Sequence, residues 1–218
     1  MIHAYDEQYL DDAMRNLGEA MDYAVYGCHM TMDAFLDLFI TSGLAKRFGL
    51  GVPKLVSGTS GIELVLKVLE SAGLEPKVQE LQPSNDCSVE YWCGWVLAYY
   101  QWYTGRPFKN IRSFVTMQTI ANLYPALHEA PEEKFVDTVN HIIQKCNAPT
   151  RLQYMRKLCG YSQRKLAEKS GVSLRSIQQY EQRVKDIDKA SVTKVLLLAR
   201  TLGCQVEDLV EYNSSICR

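Results

Sequence analysis

The side chains whose types and spacing most clearly suggest chemistry are Arg175, Gln178 and Gln179. They follow Ser173, a residue type that often caps a helix, and they alternate with Ile177, which would face inward. Arginine can bond guanine through two hydrogen bonds, and glutamine can bond adenine in the same way. The spacing therefore predicts a short helix whose outer face suits base edges in a DNA major groove. An ordinary solvated helix surface is the alternative for this face.

A second short helix is predicted directly before this one. Ser162 is a suitable N-cap, and Leu166 and Ala167 lie on the inner side of the helix that follows it. Gly171 and Val172 then form a tight turn. Two short helices joined by a turn with glycine, the second with polar residues outward, are typical of a helix-turn-helix.

The segment from residue 162 to residue 181 carries the motif S-Q-x-x-L-A-x-x-x-G-V-S-x-x-x-I-x-x-x-E. This motif resembles that of the Cro/repressor-type helix-turn-helix family, also called Xre-type. The following TKVLLLARTLGCQVEDLVE resembles the fourth and fifth helices of the same family, so the likeness covers residues 151–211. The resemblance implies a five-helix, lambda-repressor-like domain within an all-α protein.

The resemblance also implies roles for individual residues. Gln163 is expected to contact a phosphate or to brace a side chain of the recognition helix, whereas Arg183 and Lys185 are expected to contact the DNA backbone. Glu181 is expected to be structural, because a carboxylate repels phosphate. The residues expected at the DNA are Ser162, Gln163, Ser173, Leu174, Arg175, Ser176, Gln178, Gln179, Arg183 and Lys185.

Two positions depart from the family's pattern. Leu174 stands where a polar residue is more usual, so it either contacts a thymine methyl group or takes no part in readout. Gln182 stands where a glycine is common after the motif's glutamate, which leaves the geometry of the following loop open. Nearby cations are expected to be surface charges, some of which add sequence-independent affinity for DNA: Arg156, Lys157, Arg164, Lys165 and Lys169.

Charge divides the chain of 218 residues into two parts. Residues 1–150 carry 11 basic and 18 acidic residues, a net charge of -7, and residues 151–218 carry 13 basic and 7 acidic residues, a net charge of +6. Such asymmetry suggests domains with different partners. The Pro-containing segment 147–150 is the predicted linker. The expected domains are therefore an acidic helical domain at 1–146 and the helix-turn-helix domain at 151–212.

The acidic part is predicted to be helical. Residues 5–26 have the periodicity of an amphipathic helix, Thr31 can cap a second helix, and Ser60 and Glu63 have capping-box spacing for a third. Helices are also predicted at 117–123 and 132–145. A stretch rich in Gly, Pro and Ser covers residues 49–61, and residues 75–89 are predicted to form a loop.

An aromatic stripe follows that loop. Its spacing of three, four and seven residues is typical of the buried face of a helix, so a core role is the first interpretation. Tyr and Trp also anchor interfaces, so a groove for a partner or ligand is the second. The candidate residues for that groove are Trp92, Trp95, Tyr99, Trp102 and Tyr103.

The N-terminal region also resembles bacterial regulators that end in the same helix-turn-helix and are often encoded beside toxin-like genes. That resemblance implies an antitoxin, whose acidic domain would cover a toxin while its basic domain binds the shared promoter.

No catalytic, metal or cofactor site is predicted. The four histidines are isolated and form no HExxH motif, and no GxSxG motif occurs. The loop GVPKLVSGTSG lacks the GK[ST] ending of a phosphate-binding loop. The cysteines and histidines show no zinc spacing.

Location is predicted from the cysteines and from hydropathy. The seven cysteines are odd in number and include no CxxC pair. Together with an N-terminus that does not read as a signal peptide, this predicts free thiols in a reducing cytoplasm. The uncharged run between residues 90 and 106 is too short for a bilayer span.

The sequence therefore predicts an all-α, cytoplasmic, sequence-specific DNA-binding regulator that is not an enzyme and acts most simply as a repressor. A homodimer on a palindromic operator is expected, because two copies normally read half-sites about 34 Å apart. An antitoxin is the alternative, with a toxin as the protein partner of the N-terminal domain.

Overall fold

A computed structural model describes residues 3–75 and 87–211. Helices dominate this part of the chain and it contains no β-strand, which confirms the all-α prediction. Contacts divide the chain into two compact units, Met1–His141 and Ile142–Arg218, called here the N-terminal and C-terminal units. The loop predicted at 75–89 lies almost entirely outside the described residues.

The N-terminal unit is built around one long helix, α1 (Leu10–Tyr26), which a 3-10 turn at Glu7–Tyr9 precedes. Helix α1 packs mainly against α6 (Val89–Thr104) and α5 (Gly61–Ser71). The other helices of the unit are α2 (Met32–Thr41), α3 (Leu44–Gly49) and α4 (Pro53–Val56) before α5, and α7 (Phe108–Arg112), α8 (Met117–Ala121) and α9 (Tyr124–Leu127) after α6. Helix α10 (Glu132–Asn147) begins in this unit.

The helix caps predicted from neighbouring residues at Thr31 and Ser60 are present in the structure. Thr31 caps α2 by accepting a hydrogen bond from the backbone of Ala34, and Ser60 and Glu63 form the predicted capping box. The stretch 49–61, where no helix was predicted, nevertheless contains α4. Pro53 starts this helix with its φ angle already fixed, and the next turn buries Leu55 and Val56.

Helices α1 and α6 approach closely because glycine lies at their contact. An ideal Cβ atom on Gly94 would lie 2.3 Å from the carbonyl oxygen of Leu17, and one on Gly18 would lie 3.0 Å from Tyr91. The apolar side chains beside this contact are fully buried, among them Leu17, Met21 and Leu97.

The C-terminal unit has its own apolar core. After α10 it contains α11 (Arg151–Leu158), α12 (Gln163–Ser170), α13 (Leu174–Glu181) and α14 (Val192–Leu202). The core is formed by residues from each of these four helices, among them Leu152, Leu166, Ile177 and Leu198.

The fifth helix of this unit differs from the prediction. It is a 3-10 turn at Val206–Asp208, because Gly203 ends α14 in the left-handed conformation and Asp208 closes the next turn by accepting from the backbone of Gln205. Leu209 directly after the turn is fully buried and so supplies an apolar contact that a longer helix would have made.

Free thiols are found at Cys28, Cys87, Cys93, Cys159 and Cys204. Cys146 is disulfide-bonded, so the prediction of free thiols is wrong for this residue. Burial raises the pKa of the Cys93 thiol to about 12, which keeps this sulfur protonated and inert at neutral pH. Within residues 3–75 and 87–211, no helix is long and apolar enough to cross a membrane.

Replacing Gly94 with alanine tests the packing of α1 against α6. The new methyl group would overlap the backbone at Leu17, so we expect the variant to lose at least about 1–3 kcal/mol of unfolding free energy. Urea unfolding followed by tryptophan fluorescence reports on the N-terminal unit, which contains Trp92, Trp95 and Trp102. Ser71→Ala on an exposed position of α5 is the control, with an expected change within about 0.5 kcal/mol. An equally small change for Gly94→Ala would contradict the close packing.

Candidate nucleic-acid interface

Helices α12 and α13 begin and end on local signals. Ser162 caps α12 by accepting a hydrogen bond of 3.1 Å from the backbone of Lys165. Gly171 ends it with a φ angle of 70°, a conformation that glycine adopts at no steric cost. Ser173 then caps α13 by accepting from the backbone of Ser176 at 3.2 Å. The two helices and their turn therefore form a compact helix-turn-helix.

One face of α13 is buried and the other is accessible. Ile177 and Tyr180 lie in the core of the C-terminal unit. The opposite face presents the exposed Arg175 and the half-buried Leu174, Gln178 and Gln179. Among the described residues, no hydrogen bond or ion pair occupies the guanidinium of Arg175 or the amides of these glutamines. These groups are thus available to an external ligand.

Ser176 differs from the other predicted contacts on this face. Its hydroxyl lies 2.8 Å from the hydroxyl of Ser173, so the two side chains share a hydrogen bond at the start of α13. Both serines therefore stabilise the N-terminus of the helix, whatever else they contact.

A buried ion pair fixes the other end of α13. Arg156 of α11 donates from Nε to Oε1 of Glu181 at 2.6 Å and from Nη2 to Oε2 at 2.8 Å. These hydrogen bonds raise the pKa of Arg156 above its ordinary value, so this side chain stays charged despite its burial. Arg156 also donates to the carbonyl oxygen of Tyr161 at 2.6 Å.

Gln163 completes this network. Its Nε2 donates to Oε2 of Glu181 at 2.8 Å, so its side chain braces the last residue of α13. Glu181 is only 7% exposed and thus has the structural position expected from the sequence. Arg156, in contrast, is 8% exposed, so the expectation that it is a surface charge is wrong.

Arg183 does not reach outward. Its Nη1 donates to the carbonyl oxygens of Cys146 at 3.0 Å and Ala148 at 2.9 Å, and its Nη2 lies 3.9 Å from a carboxylate oxygen of Glu211. Two carbonyl oxygens thus hold Nη1, and the phosphate contact expected of Arg183 stays a prediction. Lys185 is exposed, so its side chain is accessible for the expected contact with the DNA backbone.

The loop after α13 also departs from the expected geometry. The left-handed residue is Arg183, with a φ angle of 55°, whereas Gln182 has an ordinary φ angle of -87°. The sequence left the loop geometry open at Gln182, and the unusual backbone conformation lies one residue later, at Arg183.

Exposed cations surround the helix-turn-helix. Lys165 and Lys169 lie on α12, with their Nζ atoms 5.8 Å and 5.5 Å from the centre of the Tyr161 ring. Lys157 and Arg164 are also exposed. This arrangement places positive charge on the surface of the same unit that presents Arg175.

The aromatic stripe lies in the core of the N-terminal unit. Trp92, Tyr99 and Trp102 are 9%, 9% and 4% exposed, so a binding groove formed by these three residues is wrong and the core interpretation fits. Burial and the neighbouring Glu133 raise the pKa of Tyr99 to about 12. Trp95 and Tyr103 are half-buried.

Sequence reasoning missed two residues of the C-terminal unit. Thr150 caps α11 by accepting a hydrogen bond from the backbone of Gln153, and Glu211 accepts one from the backbone of Arg151. The cap was accessible from the sequence, because a threonine directly before an amphipathic segment is a start signal. The contact of Glu211 spans 60 residues and leaves no local signal.

Comparison with known proteins bears on the C-terminal segment alone. Residues 152–209 match the helix-turn-helix family model, so this segment is a helix-turn-helix of the Cro/repressor type, as its motif predicts. No match supports the resemblance suggested for the N-terminal region. Neither a curated protein nor a solved structure matches the chain.

Removing one partner of the buried ion pair should weaken the C-terminal unit strongly. Glu181→Ala leaves Arg156 charged and buried, which costs about 3–5 kcal/mol. Native-state amide hydrogen exchange in α13 and α14 measures this unit separately. Glu168→Ala removes an exposed carboxylate from α12 and is the control. In Arg156→Met/Glu181→Leu, most of the lost stability should return, because no unpaired charge remains. Equal exchange in Glu181→Ala and Glu168→Ala would contradict the role of the pair.

Proposed function

We propose that the protein is a sequence-specific transcription regulator that binds operator DNA through α13 and represses by occluding a promoter. The observation that carries this proposal is the outward face of α13. In a segment that matches the helix-turn-helix family, this face presents Arg175, Gln178 and Gln179 with no partner within the described chain.

Each of these side chains suits a base edge. The guanidinium of Arg175 can donate two hydrogen bonds to guanine, and the amides of Gln178 and Gln179 can each pair with adenine. Leu174 is half-buried beside them and offers an apolar contact for a thymine methyl group. Ser162 and Ser173 would contribute through the N-termini of the helices that they cap, where backbone amides suit phosphate, and Ser176 would contribute from the first turn of α13.

The charge of the C-terminal unit supports binding to a polyanion. Residues 151–218 have a net charge of +6. Exposed lysines and arginines that neutralise phosphates release counterions, which adds affinity independent of sequence. The exposed side chains proposed for this role are Lys157, Arg164, Lys165, Lys169 and Lys185.

A homodimer is part of the proposal. One helix-turn-helix contacts only a short DNA site, and two copies on half-sites about 34 Å apart supply the usual affinity. Residues 151–212 would be the DNA-binding domain, and residues 1–146 would be a domain for dimerisation, ligand sensing or a partner. The proposed site of action is the cytoplasm, and the proposed role is binding rather than catalysis.

The acidity of the N-terminal region favours an antitoxin as the second candidate. Residues 1–150 have a net charge of -7, which opposes DNA contact and suits a basic protein partner. Co-expression with a small adjacent reading frame separates the two candidates. Rescue of growth and co-purification with its product support the antitoxin, whereas a neighbour without toxicity supports the stand-alone regulator.

Fluorescence anisotropy on the DNA upstream of the gene, against scrambled DNA and over a salt series, tests the proposed function. Tight binding to upstream DNA alone is the expected result. Equally weak binding to both sequences would contradict specific operator binding by this protein.

Replacing Arg175 with alanine should weaken binding to the cognate site by about 1–3 kcal/mol and relax specificity at one base pair. Binding to scrambled DNA should change little. Arg200→Ala removes the same charge from an exposed position of α14 and is the matched control. Equal losses on cognate and scrambled DNA would argue against base reading by Arg175.

Replacing Lys185 with alanine should weaken binding to cognate and scrambled DNA equally, in contrast to Arg175→Ala. A lost phosphate contact weakens binding on all sequences alike and lowers the slope of log K against log salt by about 0.9. Lys109→Ala, at an exposed position of the N-terminal unit, is the control and should leave the slope unchanged. An unchanged slope in Lys185→Ala would remove this lysine from the DNA interface.

A further inference from the structure

The chain turns sharply after α13 at a residue that is not glycine. Arg183 has a φ angle of 55°, a conformation that side chains other than glycine rarely adopt. Its backbone amide donates to the carbonyl oxygen of Tyr180 at 3.2 Å, and the amide of Lys185 donates to that of Gln179 at 3.1 Å. The turn therefore folds Lys185 back onto the recognition helix.

The side chain of Arg183 holds this turn from the other side. Its Nη1 bridges the carbonyl oxygens of Cys146 and Ala148, at and just beyond the C-terminal end of α10. The last carbonyls of a helix have no partner within the helix, so a cation with fixed donors suits them. The side chain is only 21% exposed.

Glu211 adds a third point of attachment. Its carboxylate lies 3.9 Å from Nη2 of Arg183 and also accepts a hydrogen bond of 2.5 Å from the backbone of Arg151, at the start of α11. Its own backbone amide donates to Asp188, in the 3-10 turn that follows the loop. Arg183 and Glu211 thus connect the loop after the recognition helix to both ends of the segment 146–151.

We infer that Arg183 is a positioning residue for DNA reading and that it does not contact phosphate. The inference rests on the proposed function. The guanidinium fixes the loop and the C-terminal end of α13, so that Arg175 and Lys185 contact the DNA in a fixed position relative to each other. Two hydrogen bonds from Nη1 and the nearby carboxylate of Glu211 hold the guanidinium in place, and moving it towards a phosphate would break both hydrogen bonds.

Arg183→Gly in the full-length protein tests this inference. Glycine adopts the left-handed conformation readily, so the variant keeps the turn while losing the guanidinium. We expect cognate affinity to fall at least about fivefold while scrambled affinity changes less than about twofold, within the range of one lost specific contact. The salt slope should stay as in the wild type, and exchange of the Lys185 amide should accelerate about tenfold as its opening becomes easier.

Glu211→Gln shows whether Glu211 acts through Arg183 or only as a negative charge near DNA, because the two roles change DNA affinity in different ways. If Glu211 acts only as a negative charge near DNA, its removal tightens binding to every sequence. If it acts through Arg183, its removal lowers the ratio of cognate to scrambled affinity, in the same direction as Arg183→Gly. Lys185→Ala is the reference for a true phosphate contact.

Three results would overturn the inference. The first is a slope in Arg183→Gly reduced by about 0.9 with equal losses on both DNAs, which is the signature of a phosphate contact. The second is an unchanged ratio of cognate to scrambled affinity, which leaves Arg183 a merely structural role. The third is unchanged exchange of the Lys185 amide, which is decisive even without DNA. Absence of sequence preference in the wild type, in contrast, refutes the proposed function.

Discussion

The buried ion pair of Arg156 and Glu181 is the constraint on which the position of α13, and so of its proposed DNA-reading face, depends. It joins α11 to the end of α13, and Gln163 adds α12 to the same carboxylate. Removing two charges from water is costly, and an apolar pair of similar size is often as stable. The geometry of this pair is more specific, because a bidentate contact sets the distance and angle between helices. The outward direction of Arg175 follows from that fixed orientation.

The two units are packed with different residue types. In the N-terminal unit, tryptophan and tyrosine fill the core beside α1, and glycine allows α6 to approach it closely. In the C-terminal unit, the core is mostly aliphatic, and arginines lie in three different surroundings. Arg156 is buried in an ion pair, Arg183 donates to backbone carbonyl oxygens, and Arg175 is exposed, so the same side chain is proposed for packing, loop positioning and base reading.

Features that depend on residues close together in the sequence were predicted, whereas features that depend on residues far apart in the sequence were not. Ser60, Ser162 and Ser173 cap helices through residues three positions away, so their roles were predicted. The hydrogen-bond partners of Arg183 lie 35 and 37 residues away and leave no local signal, so the sequence predicted only a phosphate contact, from family likeness. Helix α4 was missed because its four residues depend on burial of Leu55 and Val56 rather than on periodicity. The aromatic stripe left two interpretations, and the burial of Trp92, Tyr99 and Trp102 favours the core for these three residues.

Selection of binding sites from randomised DNA tests the central claim most directly. The wild-type protein should enrich a palindromic sequence with half-sites about 34 Å apart, or a multiple of that spacing. The same selection with Arg175→Ala should recover that sequence with one position per half-site relaxed. Enrichment of no sequence by the wild type, or of the same fully specified sequence by both proteins, would contradict base reading by the outward face of α13.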